Sequence, residues 1–239
     1  MRCLRAYHRL MREESDQEPE PVVAARFMEA VGYAVQLHAR QARKGTSIPY
    51  VTHLFSVCSL VLEDGGDEDQ AIAALLHDGP EDQGGQPVLD EIRARFGDAV
   101  ATIVDGLTDT MLDPKPPWRP RKEAYLELLD AEPVAVLRVS LADKLHNLRS
   151  MAIDHAARGE DLWSRFNAGR VDQAWYFGRL LAVFERRLPD SRNLTEFRGL
   201  VGQVFRLGRQ RLMHLNSGTD CAEVAGIVLP SRATRERNL

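Results

Sequence analysis

Residues 71–83 read AIAALLHDGPEDQ: six apolar residues run straight into an adjacent histidine and aspartate, and two more acidic residues follow. Four positions make about one helical turn, so on a helix His77 lies near Glu81 and Asp78 near Asp82. The apolar run buries the start of this cluster. Carboxylates gathered at a buried helix end cost free energy unless a cation neutralises them. A solvated acidic helix end is the alternative, and this stretch alone leaves both readings open.

Outward from this point the chain reads as helices separated by glycine and proline. Phe27, Val31, Ala34 and His38 keep helical spacing, which predicts an amphipathic helix over 22–42 ended by the basic loop ARKGTSIP. Helices are expected at 50–63 and 67–78, separated by EDGGDED, whose two glycines stop the first. After the break QGGQP, helices fit 88–96 and 98–107, with Asp98 as a cap following Gly97. The four prolines of DTMLDPKPPWRP make 109–120 a loop. Helices then fit 120–130, 133–154 (Pro133 in the first turn), 160–168, 170–188 and, more weakly, 193–207. No hairpin signal or internal repeat is present. The fold class is all-α, an irregular helical bundle, with residues 1–20 as a disordered lead, 21–190 as the domain, and 191–239 as a C-terminal helix and flexible tail.

The bulk properties suit a soluble globular chain. Of 239 residues, 44% are hydrophobic and 28% charged, and the formal net charge of -4 argues against DNA as a partner, since nucleic-acid binders carry a basic excess. No apolar run approaches the ~20 residues that span a bilayer, and the N-terminus lacks the apolar core of a signal peptide. Cys3, Cys58 and Cys221 are odd in number and match no zinc or disulfide spacing, which reads as free thiols in a cytoplasmic protein.

Two further segments carry chemistry. In VAVLRVSLADKLHNLR, Asp143 sits in a stretch that faces the core and Asn147 shares its face one turn on. A buried aspartate needs a partner, either a metal or a basic side chain. In RKGTSIPYVTH, His53 falls at a helix start, where a lone histidine is as a rule a hydrogen-bonded structural residue. His38, on the apolar face of the first helix, reads the same way.

Taken together, RKGTSIPYVTH, ALLHDGPEDQ and LADKLHNLR, in this order and at these spacings, resemble the HD-type metal-dependent phosphohydrolases, and among them the small alarmone hydrolases of the Rel/Spo group. The similarity covers about 25–185, and WRPRKEAYLELL and the DQGG after the His-Asp pair add to it. The resemblance implies a metal held by His53, His77, Asp78 and Asp143, with Glu81 and Asp82 orienting water and moving protons. It favours Mn²⁺, and the ligand types also suit zinc or iron. It implies a guanosine alarmone substrate met by Arg43, Lys44 and Asn147, with Tyr176 as the aromatic residue of a late helix. Arg121 and Lys122 are further candidates for distal phosphates, though a solvated helix start is the simpler reading.

Two positions depart from the family. Gly79 and Pro80 stand where two apolar residues are common, and Pro80 disfavours a continuous helix there. Ser140 stands where long members carry lysine, a change that bears on a phosphate contact. The long members also carry synthetase and regulatory domains that a chain of this length does not hold, so the expectation is removal of the 3′-pyrophosphate from ppGpp or pppGpp without synthesis. Two alternatives remain: an HD hydrolase for another nucleotide (an adenosine alarmone, NADPH), or a non-catalytic nucleotide sensor. The sequence gives no oligomeric state.

Overall fold

The structure, a computed structural model, describes residues 24–112 and 114–205. The expected lead over 1–20, the tail from Asn216, Cys3 and Cys221 lie outside the described residues.

Within them the fold is all-helical, an irregular bundle. The helices are α1 (Ala25–Leu37), α2 (Val51–Glu63), α3 (Glu68–Leu76), α4 (Gly79–Gln83), α5 (Gln86–Phe96), α6 (Asp98–Leu107), α7 (Trp118–Ala131), α8 (Val134–Arg158), α9 (Arg170–Arg187) and α10 (Arg192–Phe205). A 3-10 turn, Gly159–Arg165, links α8 to α9. The 25-residue α8 is the axis: it packs against α2, α3, α6, α9, α10 and the 3-10 turn. Its first half, VAVLRVSLAD, buries Val136, Leu137, Val139, Ser140, Leu141, Ala142 and Asp143, so this stretch has no solvated face broad enough to expose a carboxylate.

Local chemistry sets the element ends. The Asp67 side chain accepts the Gln70 N–H at 2.9 Å and caps α3. α2 stops at its two glycines: Gly65 takes φ +79°, its N–H bonds the Leu62 carbonyl, and the Gly66 N–H reaches the Val61 carbonyl at 2.9 Å. Between α3 and α4 the chain makes a short step. His77 closes α3, Asp78 begins the next element, and Gly79–Pro80 form its first turn, so the proline interrupts the helix as its chemistry requires.

Several boundaries differ from the sequence reading, each for a local reason. The first helix ends at Leu37 rather than 42, because the segment after it folds into a closed loop: Ala42 bridges Pro49, and Arg43 N–H bonds the Ile48 carbonyl at 2.8 Å. Asp98 does not cap α6; Gly97, at φ +91°, holds that position and Asp98 is the first helical residue. Helix α7 begins at Trp118, inside the expected loop, since Pro120 falls in the first turn, where its missing N–H would have had no helical partner. Helix α8 runs on to Arg158 until Gly159 (φ +59°) stops it, and the expected helix over 160–168 is the 3-10 turn.

The core closes where α9 meets α10. Phe184 and Phe197 are fully buried, edge to face, with ring centroids 5.5 Å apart. Phe184→Ala is expected to cost about 3–5 kcal/mol, lost contacts and the residual cavity both contributing. Urea or thermal unfolding followed by circular dichroism measures this, and a loss below about 1 kcal/mol would contradict the docking of α10.

Candidate metal centre and nucleotide cleft

Four side chains from three places in the bundle converge. His53 stands in the first turn of α2, His77 and Asp78 at the α3–α4 step, and Asp143 in the middle of α8. His53 Nε2 lies 3.2 Å from Asp143 Oδ1 and 3.4 Å from Asp78 Oδ2. His77 Nε2 lies 3.1 Å from Asp78 Oδ2 and 3.8 Å from Asp143 Oδ1. Ligand atoms of His53, His77 and Asp143 all fall within 4.8 Å of one another, and all three residues are buried. Asp78 stands to one side, and its Oδ2 also accepts the Tyr50 hydroxyl at 2.7 Å.

These atoms suit a divalent ion. Bonds of about 2.0–2.2 Å from nitrogen and oxygen place neighbouring ligand atoms roughly 3–3.5 Å apart. The His77 Nδ1 lies 2.8 Å from the Ala74 carbonyl, which can only accept, so Nδ1 carries a proton and Nε2 is the nitrogen open to a metal or to a second proton. That Nε2 is buried without a hydrogen-bond partner. Burial alone would lower the His77 imidazole, but Asp78 and Asp143 reverse this and hold it well above the usual histidine range. Burial would likewise raise both carboxyls; the His77 and His53 imidazoles instead hold Asp78 well below its usual range, and Lys144 with the imidazoles does the same for Asp143. The two carboxylates thus attract positive charge to one point, where a metal ion and a proton compete.

The acidic pair one turn on is placed differently from the His53–His77–Asp78–Asp143 cluster. Glu81 and Asp82 lie in the first turn of α4. Lys115, from the proline-rich loop, sits 2.8 Å from Glu81 Oε1 and 3.6 Å from Asp82 Oδ1. Gln41 donates to Asp82 Oδ2 at 2.8 Å, and the Gln41 carbonyl oxygen lies 2.5 Å from Gln83 Nε2 and 2.6 Å from His38 Nδ1. His38 is buried, stacked on Tyr50, and serves this hydrogen-bond network rather than the metal cluster.

Beside the cluster lies a cleft of about 580 Å³, a volume suited to a nucleotide-sized ligand. Arg43, Lys44, Asn147 and Tyr176 all line it, together with Asp82, Lys122 and Lys144. Arg43 donates to Asn147 Oδ1 at 2.9 Å, and Asn147 Nδ2 donates to Asp143 Oδ1 at 2.6 Å, so one amide ties the cleft wall to the carboxylate. Lys44 Nζ reaches Asn167 at 3.2 Å. The loop holding Arg43 and Lys44 is strapped down by Arg165, which bonds the Lys44 carbonyl and pairs with Asp154 at 2.7 Å. Gly45 takes φ +71°, and a Cβ there would stand 2.9 Å from Arg165 Nε, so any side chain would displace the strap.

Tyr176 is buried with its hydroxyl unpartnered, and Lys122 Nζ lies 5.1 Å from its ring centroid. Arg121 and Lys122 are not a solvated helix start: both bond the buried Asp109 carboxylate, and Lys122 faces the cleft. Burial and the Lys144 charge outweigh Asp109 and lower the Lys122 ammonium. Lys144 pairs with Asp143 at 2.6 Å; burial opposes its charge, but Asp143 prevails and holds it well above the usual lysine range. Ser140 is fully buried on the Tyr125 hydroxyl at 3.0 Å and does not face the cleft, so this departure from the long enzymes leaves no phosphate contact at that position.

Sequence reasoning missed Tyr50, His146, Lys115, Gln41, Asp109 and Arg165. Two of these had a local signal: Tyr50 stands in the PYVTH run beside His53, and His146 lies one turn from Asp143. Gln41 stands just before Arg43, and Lys115, Asp109 and Arg165 reach the site from other segments.

Relatives of known name include the Xenopus tropicalis guanosine-3′,5′-bis(diphosphate) 3′-pyrophosphohydrolase MESH1, 37% identical over 131 residues, 54% of this chain and 70% of that protein. The human MESH1 protein is 35% identical over the same extent. A probable guanosine-3′,5′-bis(diphosphate) 3′-pyrophosphohydrolase of Synechocystis sp. is 32% identical over 152 residues, and there the match spans 62% of this chain but only 19% of the relative. Among solved structures, a metazoan orthologue of SpoT that hydrolyses ppGpp superposes with a TM-score of 0.62 at 26% identity, covering 78% of this chain and 98% of its own. The family model described as HD domain matches residues 30–174, which takes in every residue of the cluster, and the chain belongs to the HD-domain family.

Proposed function

We propose that this protein is a (p)ppGpp 3′-pyrophosphohydrolase that works with a single Mn²⁺ ion held by His53, His77, Asp78 and Asp143. The observation that carries the reading is the meeting of two imidazole Nε2 atoms and two carboxylates beside a cleft lined with cations. The named function of the MESH1 relatives supplies the substrate class. The HD-domain family and the His53–His77–Asp143 group support a divalent metal, and the mix of nitrogen and carboxylate ligands suits manganese.

A divalent ion bound there supplies Lewis acidity toward a phosphoryl oxygen and a lowered pKa for water. The side chains do the rest. Arg43 offers its planar guanidinium to the base, and Lys44, Lys122 and Lys144 meet phosphate oxygens. Asn147 spends one donor on Asp143 and one acceptor on Arg43, which leaves one of each for the ribose. Tyr176 supplies an aromatic wall. Glu81 and Asp82 orient the attacking water and carry its proton. A new P–O bond forms at the phosphorus next to the ribose, the 3′ O–P bond breaks, and the 3′ oxygen takes up a proton as GDP or GTP leaves with pyrophosphate.

The test is pyrophosphate release from ppGpp with and without Mn²⁺, beside an Asp78→Ala control. Turnover is expected only with metal, is lost on adding EDTA, returns with Mn²⁺, and is absent in the variant. Metal-loaded, folded protein that leaves ppGpp intact would overturn the assignment. A panel of adenosine alarmone and NADPH then distinguishes another nucleotide substrate from a sensor.

A further inference from the structure

The two histidines of the cluster are fixed in different ways. Each turns Nε2 toward the carboxylates, so each tautomer depends on what Nδ1 meets. For His77 it is the Ala74 carbonyl, on its own helix. For His53 it is another ring: His53 Nδ1 lies 2.7 Å from His146 Nδ1, with ring centroids 4.8 Å apart. Two ring nitrogens at that distance share one proton. If His53 is to offer a lone pair from Nε2, the proton belongs to His53 Nδ1, and His146 Nδ1 is its acceptor. His146 is then neutral, with its own proton on Nε2.

His146 comes from α8, one turn beyond Asp143, whereas His53 comes from α2. One turn of α8 therefore supplies both a carboxylate of the cluster and the prop for an imidazole 93 residues away. Side chains that hold a metal-ligating histidine through its second nitrogen set its tautomer and ring angle and raise its basicity.

We infer that His146 is a positioning residue of the metal centre: its Nδ1 accepts the His53 Nδ1 proton and so holds the His53 Nε2 lone pair toward the ion. The inference rests on His53 being a metal ligand. His146 needs no contact with substrate or metal to act in this way.

Two replacements separate the hydrogen bond from packing. Asparagine places an amide oxygen close to the position of Nδ1, whereas leucine fills similar space and accepts nothing. Calorimetric titration of the intact, metal-free protein with Mn²⁺ is expected to show affinity about 10- to 100-fold weaker in His146→Leu. In His146→Asn it should lie within a few-fold of the native value, with unfolding midpoints of the metal-free proteins alike. Native-like affinity in the leucine variant, or equal loss in both, would overturn the inference. A His53→Ala control with unchanged binding, or native protein that takes up no Mn²⁺, would remove the metal assignment beneath it. A readout without mutation covers a leucine variant that does not fold: ¹⁵N spectra of histidine-labelled, zinc-loaded native protein should show the proton on His53 Nδ1 and none on His146 Nδ1. The reverse assignment overturns the inference.

Discussion

Asp143→Asn is expected to remove Mn²⁺ binding and to cut pyrophosphate release by roughly 10³-fold or more, since the several kcal/mol of charge stabilisation that a metal supplies corresponds to about one decade per 1.4 kcal/mol. The substitution keeps the shape of the side chain and removes one unit of charge. Asp143 is where the charges of the site meet: Lys144 Nζ and Asn147 Nδ2 each lie 2.6 Å from its oxygens, and His53 Nε2 lies 3.2 Å away. A neutral amide matches the space, so the helix should fold, with Lys144 losing its counter-ion and the new NH2 facing one donor that had met an oxygen. Removing one partner of a fully buried pair costs about 3–5 kcal/mol, and less is expected here because Lys144 borders the cleft. Calorimetry for the metal, a pyrophosphate assay and circular dichroism read the three effects separately. Native-like turnover in a folded variant would remove Asp143 from the ligand set.

Glu81→Gln is expected to behave differently. It should lower kcat by about 10²–10⁴-fold, the usual worth of a positioned proton carrier, while Mn²⁺ affinity stays close to native. The separation follows from placement. Glu81 is one turn past the His77–Asp78 step, and its carboxylate pairs with Lys115 at 2.8 Å and lies 3.9 Å from Arg121. A steady-state assay paired with a metal titration decides between roles. Weakened metal binding would make Glu81 a ligand, and an unchanged kcat would leave proton transfer to Asp82 alone.

The lysine and arginine beside Glu81 show how far a sequence can be read. DTMLDPKPPWRP announces a loop by its prolines, and the described residues 108–112 and 114–117 are loop, yet nothing in its composition says that Lys115 returns to the acidic pair. The same holds for Arg121 and Lys122. At the start of a polar helix they read as solvated, but Asp109 is buried beneath them and draws both inward. Helix ends erred where local chemistry was finely balanced, as at Gly97–Asp98, where the glycine took the capping position and left Asp98 inside the helix.

Most of the helices, the break at Gly79–Pro80 and the candidate metal-binding side chains were legible in the chain itself, whereas the short α4 and the 3-10 turn after α8 were not. Helical periodicity and turn chemistry act over a few residues, and an aspartate inside an apolar stretch, such as Asp143, needs a partner wherever it is buried. How those side chains combine depends on packing between segments far apart in the chain. His53 meets His146 across 93 residues, Tyr50 meets Asp78 across 28, and Arg165 reaches the Lys44 carbonyl across 121. Such contacts arise from how α2, α3 and the 3-10 turn pack around α8, and packing is set by the summed fit of the whole core rather than by any local run of residues.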